Sequence, residues 1–172
     1  MTVFAFIIVA MLIGLGSAVQ VSMIASLGRV RGAPEAAWIN VIAAVLSLAL
    51  LFAFGALRAN PPNLPAPLNN TLMLAAIIVL SGLILAISVR GVSPLLAITG
   101  IFGFVYLMGA GYLAPRIGIA LFASAVTAGT LIGAVALDHW GAFGADVHRV
   151  GFVRLTGVFL LVIGVVFVRY GR

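Results

Sequence analysis

Two adjacent residues at the end of an apolar stretch, Asp138 and His139, join an acid to an imidazole. An imidazole changes charge near neutral pH, so this pair could relay protons or gate a pathway. The same pair could instead form an interfacial helix cap and turn, and the sequence leaves both interpretations open. No nucleophile or set of metal ligands surrounds the pair, and the chain has no cysteine. We therefore expect no enzymatic reaction, no bound metal and no cofactor.

Glu35 is a third candidate for coupling or gating. It follows Pro34, and a proline followed by a carboxylate suits the first turn of a helix. The alternative is a proton or cation site in a vestibule, which the sequence does not exclude.

Four polar residues lie within long apolar stretches, and we expect them to line a substrate cavity: Gln20, Asn40, Tyr106 and Thr130. Polar groups deep in a membrane are costly and usually face a cavity or a partner. Gln20 could instead make an interhelical hydrogen bond, and Tyr106 could be a buried hydrogen-bonding residue. Gln20 and Asn40 lie at comparable depths on neighbouring predicted helices, so they could meet or face one cavity.

The composition is that of an integral membrane protein. Of the 172 residues, 65% are hydrophobic and 7% are charged, whereas about a quarter of the residues in a soluble domain are charged. The net charge is +6, but the nine basic residues are scattered arginines that flank apolar stretches. Nucleic-acid binding needs a basic patch or stripe, so we expect none.

About twenty apolar residues in a helix cross a bilayer. The chain contains six such stretches, so we predict an all-α polytopic bundle of six transmembrane helices in one domain. Only five span if the third stretch does not. The predicted spans are about 3–27, 36–57, 71–89, 95–113, 117–138 and 150–168.

Small residues four or seven apart let membrane helices approach closely. Three stretches carry such pairs, and we expect helix packing at each: Gly14 with Ala18, Gly129 with Gly133, and Gly157 with Gly164.

The arginines give almost no orientation signal. With six spans, four lie on the side of the termini, namely Arg58, Arg116, Arg169 and Arg172. Five lie on the opposite side, namely Arg29, Arg31, Arg90, Arg149 and Arg154. Because orientation follows the bias of basic residues in short loops, we predict insertion in both orientations. Two opposed copies would reproduce the inverted repeat of many transporters. A wrongly assigned span would change this tally.

Several stretches together resemble the YdcZ-like inner-membrane family of the drug/metabolite transporter superfamily. They cover the first hairpin and most of the chain after about residue 93. The stretches are Gln20 with Ile24 and Leu27-Gly28-Arg29, Gly32-Ala33-Pro34, Ala114-Pro115-Arg116-Ile117-Gly118, Asp138-His139-Trp140-Gly141 and Arg154-Leu155-Thr156-Gly157.

The resemblance implies half of a small transporter in the bacterial inner membrane. It implies an antiparallel homodimer or a pairing with a homologous subunit, in contact with lipid and a small-molecule substrate. The chain departs from the family where Ile24 and Thr130 replace expected amides, and its third stretch is an additional span. The first helix also has no deep carboxylate for proton-for-cation exchange.

The function we expect is secondary transport of a small metabolite or organic solute by alternating access. The alternatives are a passive channel or facilitator, and an accessory membrane subunit without transport of its own. A wide aqueous pore would need more polar lining than the sequence supplies.

Overall fold

A computed structural model of the protein describes residues 3–58 and 62–171, and in these ranges every regular element is helical. The helices are α1 (Val3–Arg31), α2 (Ala33–Leu57), α3 (Thr71–Ser88), α4 (Thr99–Ile117), α5 (Ile119–Trp140) and α6 (Phe152–Tyr170). Short 3-10 turns at Pro94–Ile98 and Ala142–Gly144 precede α4 and follow α5. Six helices are long and apolar enough to cross a membrane, which confirms the predicted all-α class.

Single glycines separate two pairs of consecutive helices. Gly32 lies between α1 and α2 with φ +92°, and Gly118 lies between α4 and α5 with φ +86°. Only glycine adopts such backbone angles without strain, so each residue ends one helix and lets the next begin at once. The connections left between the predicted spans, residues 28–35 and 114–116, are therefore longer than the single glycines of the structure.

Pro115 lies inside α4 instead of forming the expected turn. A proline lacks an N–H group and removes one intrahelical hydrogen bond, and this loss falls within the last turn of α4. The helix still closes, because Gly118 N donates to the carbonyl of Ala114 over 2.8 Å.

The chain forms two compact units, and the boundary between them falls within α1 and within α4. The split unit contains residues 1–26 and 105–172, and the continuous unit contains residues 27–104. Each unit is described by itself below.

The split unit has an apolar core to which α1, α4, α5 and α6 all contribute. Its buried residues are Ile7, Ala10, Ile13, Leu113, Ile117, Leu121, Phe122, Ala125, Val126, Ala128 and Val165. Three of them are alanines, and small residues of this kind let helix backbones approach closely, as is typical of membrane bundles.

In the continuous unit, α2 packs against α3 and against the 3-10 turn that precedes α4. The buried side chains include Ala36, Ile39 and Ala43 on α2, with Leu74 and Ser81 on α3. The start of α3 is capped by Asn70, whose side chain accepts a hydrogen bond from Leu72 N over 2.9 Å. This cap satisfies one of the free N–H groups at the helix start.

Candidate functional site

Glycines bring α1 and α5 into backbone contact within the split unit. A Cβ atom added at Gly129 would overlap the carbonyl oxygen of Met11 and lie 2.8 Å from its carbonyl carbon. One added at Gly14 would overlap the carbonyl oxygen of Val126 and lie 2.8 Å from Thr130 N. We call this contact, formed by Met11 and Gly14 on α1 with Val126, Gly129 and Thr130 on α5, the α1–α5 seam.

The seam continues one turn along both helices. A Cβ atom at Gly133 would lie 2.8 Å from the Cβ of Ala18 and 3.2 Å from a methyl group of Leu15. The other two predicted packing glycines differ, because a Cβ atom added at Gly157 or Gly164 has no neighbour within 4 Å in the described part of the chain. Close packing at these two positions stays a prediction, and it requires a partner outside those residues.

The hydroxyl of Thr130 donates to the carbonyl of Val126, one turn earlier, over 3.0 Å. Other helical hydroxyls behave alike and bond to their own helices, namely Ser17, Ser47, Ser81, Ser124, Thr127 and Thr156. This local bond satisfies the donor without a neighbouring helix. Thr130 can still accept a hydrogen bond from a solute.

Two other predicted cavity residues belong to the split unit. Gln20 is half-buried and lies near the end of the part of α1 that belongs to the split unit. Tyr106 is 39% exposed, and its ring centroid lies 6.1 Å from that of Phe122. The fourth residue, Asn40, lies in the continuous unit.

Asn40 is joined to the first residue of α4. The hydroxyl of Thr99, which is completely buried, donates to Oδ1 of Asn40 over 3.3 Å. The next residue allows the helices to meet, since a Cβ atom at Gly100 would lie 2.5 Å from the carbonyl oxygen of Asn40. Thr99 is not among the predicted site residues. The available signal was a hydroxyl within the predicted apolar span 95–113.

A second polar cluster in the continuous unit was not predicted at all. Arg31, at the end of α1, donates through Nη1 to the carbonyl of Ser88 over 3.1 Å and through Nη2 to the carbonyl of Arg90. Trp38 Nε1 donates to Oγ of Ser88 over 3.3 Å. Arg31 thereby binds free carbonyls at the C-terminal end of α3. Glu35 is exposed in the first turn of α2.

In the split unit, Asp138 links the ends of α5 and α6. Its Oδ2 lies 3.3 Å from Nη1 of Arg154, and the two side chains are 42% and 44% exposed. Its carbonyl accepts hydrogen bonds from Gly141 N over 3.4 Å and from His148 N over 2.9 Å. The carboxylate therefore bridges two helices while the backbone of the same residue holds the intervening loop.

His139 holds the far end of the same loop. Its Nδ1 accepts a hydrogen bond from Val150 N over 3.3 Å, so this nitrogen carries no proton in that arrangement. A cationic imidazole would carry a proton on Nδ1 and could not accept this bond. His139 lies at the exposed end of α5, and this bond ties the end of the loop to that helix.

Among residues 3–58 and 62–171, no group of three histidine or acidic side chains could hold a metal ion. The polar groups instead form helix-to-helix contacts: Thr99 with Asn40, Arg31 with the end of α3, and Asp138 with Arg154. These polar groups can exchange their contacts with one another for contacts with a solute when the helices move.

Comparison with known proteins supplies the family. No curated protein and no solved structure matches the chain. One family model, described as "Putative inner membrane exporter, YdcZ", matches residues 68–167, from just before α3 to near the end of α6. The third helix thus lies inside the matched region, whereas the first hairpin lies outside it. The match covers more than half of the chain, and the protein belongs to this YdcZ family of the inner membrane.

Proposed function

We propose that the protein is a secondary transporter that exports a small metabolite or organic solute from the cell by alternating access. The observation that carries this proposal is the family match, whose description is that of an inner-membrane exporter. The six membrane-length helices supply the scaffold that such a protein needs. In this proposal the solute crosses without chemical change.

Asn40 is the residue that we place first in the solute site. Its amide is half-buried and is held by Thr99 at the start of α4. An oriented amide can both donate and accept hydrogen bonds, which suits a polar solute. In the split unit, the proposed solute contacts are Gln20, Tyr106 and Thr130, because each brings a polar group to a membrane-length helix.

Coupling or gating is assigned to the loop ends. The pair formed by Asp138 and Arg154 can open as α5 and α6 move, and the hydrogen bond from Val150 N to His139 can break with the same movement. Glu35 is the corresponding candidate in the continuous unit.

Export is tested by comparing the culture media of cells that express the wild-type protein, Asn40→Ala, or Gln20→Ala with Asn40→Ala. We expect a solute that accumulates with the wild-type protein and much less with the variants. Wild-type affinity and rate in the double variant would remove both residues from the site. Saturation and counterflow of that solute in proteoliposomes would establish a transporter, whereas flux without either would indicate a channel.

The transport unit that we propose is an antiparallel homodimer or a pair with a homologous subunit. The balance of four arginines against five supports insertion in both orientations. The unpartnered faces at Gly157 and Gly164 offer close-packing positions to a second subunit.

Because the chain has no cysteine, one cysteine added after Arg172 can report orientation. Intact and permeabilised cells would be labelled with a membrane-impermeant maleimide. Labelling of about half the sites from outside would support the antiparallel homodimer. Labelling from one side alone would require an oppositely oriented partner or a parallel assembly.

A further inference from the structure

An apolar groove runs between the beginning of α1 and the end of α6 in the split unit. Its volume is about 280 Å³. Six of its lining residues are apolar, namely Phe4, Ile7, Met11, Val162, Val165 and Val166. At 1.5 Å per residue, the stretch from Phe4 to Met11 makes the groove roughly 10 Å long. These dimensions fit part of one hydrocarbon chain better than a whole drug-sized solute.

Two further residues, Arg169 and Tyr170, line the groove where α6 ends. The guanidinium of Arg169 lies 5.4 Å from the ring centroid of Tyr170, which is 73% exposed. Tyrosine and arginine near helix ends are typical of the level of the lipid headgroups. The groove is thus apolar along most of its length and has a cationic mouth at the level of the lipid headgroups.

The charges of the split unit are divided between its two ends. Arg116 and Arg169 lie at the end where α4 and α6 finish, and no carboxylate of the described residues lies within 4.0 Å of either. The acids of this unit lie at the other end of α5, about 30 Å away at 1.5 Å per residue: Asp138 is in the last turn of that helix and Asp146 follows it. Among the described residues, the mouth of the groove therefore presents positive charge with no carboxylate beside it.

We propose that this groove binds an anionic phospholipid, with one acyl chain along α1 and α6 and its phosphate at Arg169. An apolar slot alone would suit a lipid or a neighbouring helix equally. The uncompensated guanidinium decides between them, because a phosphate accepts hydrogen bonds from a guanidinium in a fixed, paired geometry.

The proposal is tested with the whole protein in detergent, by native mass spectrometry of retained lipid. The probes are dioleoyl phosphatidylglycerol, which is anionic, and dioleoyl phosphatidylcholine, which has the same chains and no net charge. We expect the wild-type protein to retain the anionic lipid preferentially. Arg169→Ala should reduce that preference about fivefold. Arg149→Ala removes an exposed charge from the loop at the other end and should leave the preference unchanged.

A second variant, Val162→Trp, places a large side chain in the groove and should lower retention of both lipids. Its fold would be checked by circular dichroism and size-exclusion chromatography, and the two arginine variants decide the question if it does not fold. Equal retention of both lipids by the wild-type protein would overturn the proposal. So would equal effects of Arg169→Ala and Arg149→Ala. Loss of a dimer in Val162→Trp without loss of lipid would instead identify a second copy as the occupant.

Discussion

The buried hydroxyl of Thr99 donates a hydrogen bond to Oδ1 of Asn40 over 3.3 Å and so joins α4 to α2. Replacement of Thr99 by valine keeps the shape of the side chain and removes the donor. We expect a loss of about 0.6 to 2 kcal/mol in the free energy of unfolding, measured by denaturation in detergent micelles.

The matched control for that variant is Thr127→Val. The hydroxyl of Thr127 is exposed and donates to the carbonyl of Ala123 in its own helix over 2.8 Å. Its loss should change stability by less than about 0.5 kcal/mol. Equal effects at the two positions would show that the bond between helices adds nothing.

Gly129→Ala should be among the most damaging small substitutions in the chain. The added methyl group would meet the backbone of Met11, which cannot move aside as a side chain could. We expect a loss of about 1 to 3 kcal/mol or more in unfolding free energy. Gly157→Ala has open space around it and should be neutral in the monomer. A stable, wild-type-like Gly129→Ala would contradict the observed α1–α5 seam.

Arg31→Ala should loosen the C-terminal end of α3. The guanidinium spans two carbonyls, those of Ser88 and Arg90, and a single ammonium cannot reproduce that fork. Arg31→Ala should lower the free energy of unfolding by about 1 kcal/mol, and Arg31→Lys should restore little of that loss. The readout is amide exchange over residues 85–92. Arg90→Ala keeps the accepting carbonyl and should exchange like the wild-type protein.

Asp138→Asn should show whether the ion pair with Arg154 contributes to stability or to coupling. The pair with Arg154 is nearly half exposed, so its loss should alter unfolding by no more than about 1 kcal/mol. A role in gating would appear as a changed transport rate at unchanged stability, measured by counterflow of the exported solute. Combining Asp138→Arg with Arg154→Asp should restore the rate. Wild-type transport by Asp138→Asn would remove the pair from the coupling mechanism.

The role of Nδ1 of His139 in holding the loop can be tested by two substitutions. Asparagine places an acceptor near the position of Nδ1, so His139→Asn should keep the hydrogen bond from Val150 N. His139→Ala should lose it, and amide exchange of Val150 should then rise about fivefold. If both variants retain wild-type exchange, the imidazole does not hold the loop. Lost transport in a His139→Asn variant with an intact loop would indicate that the proton itself is required.

The membrane helices could be predicted because each requires about twenty consecutive apolar residues, which can be counted in the sequence. Their ends were harder to predict. The run from residue 28 to 35 contains charges, two glycines and a proline, yet α1 continues to Arg31 and α2 begins at Ala33. Arginine is a good helix former, and one glycine with positive φ suffices for the turn. Pro115 misled because a proline usually ends a helix, whereas α4 continues through it to Ile117 at the cost of one hydrogen bond.

The polar contacts were less predictable than the helices. Composition shows that Asn40 and Arg31 are costly in or near a bilayer, but their partners depend on how each helix is rotated about its axis. Thr99 follows Asn40 by 59 positions and Ser88 follows Arg31 by 57. No periodicity within one helix encodes such distant pairs. A hydroxyl within an apolar helix does not by itself indicate a partner on another helix, because most of these groups bond to their own backbone.

The α1–α5 seam restricts how the molecule can change shape. Ordinary helix pairs slide or rotate because side chains between them can switch rotamers. At Gly14 and Gly129 there is no side chain to switch, and main-chain atoms of one helix fill the space beside the other. Any rearrangement of the kind that we propose for transport must therefore move the two halves of the α1–α5 seam together, and helices joined by longer side chains have to supply the relative motion.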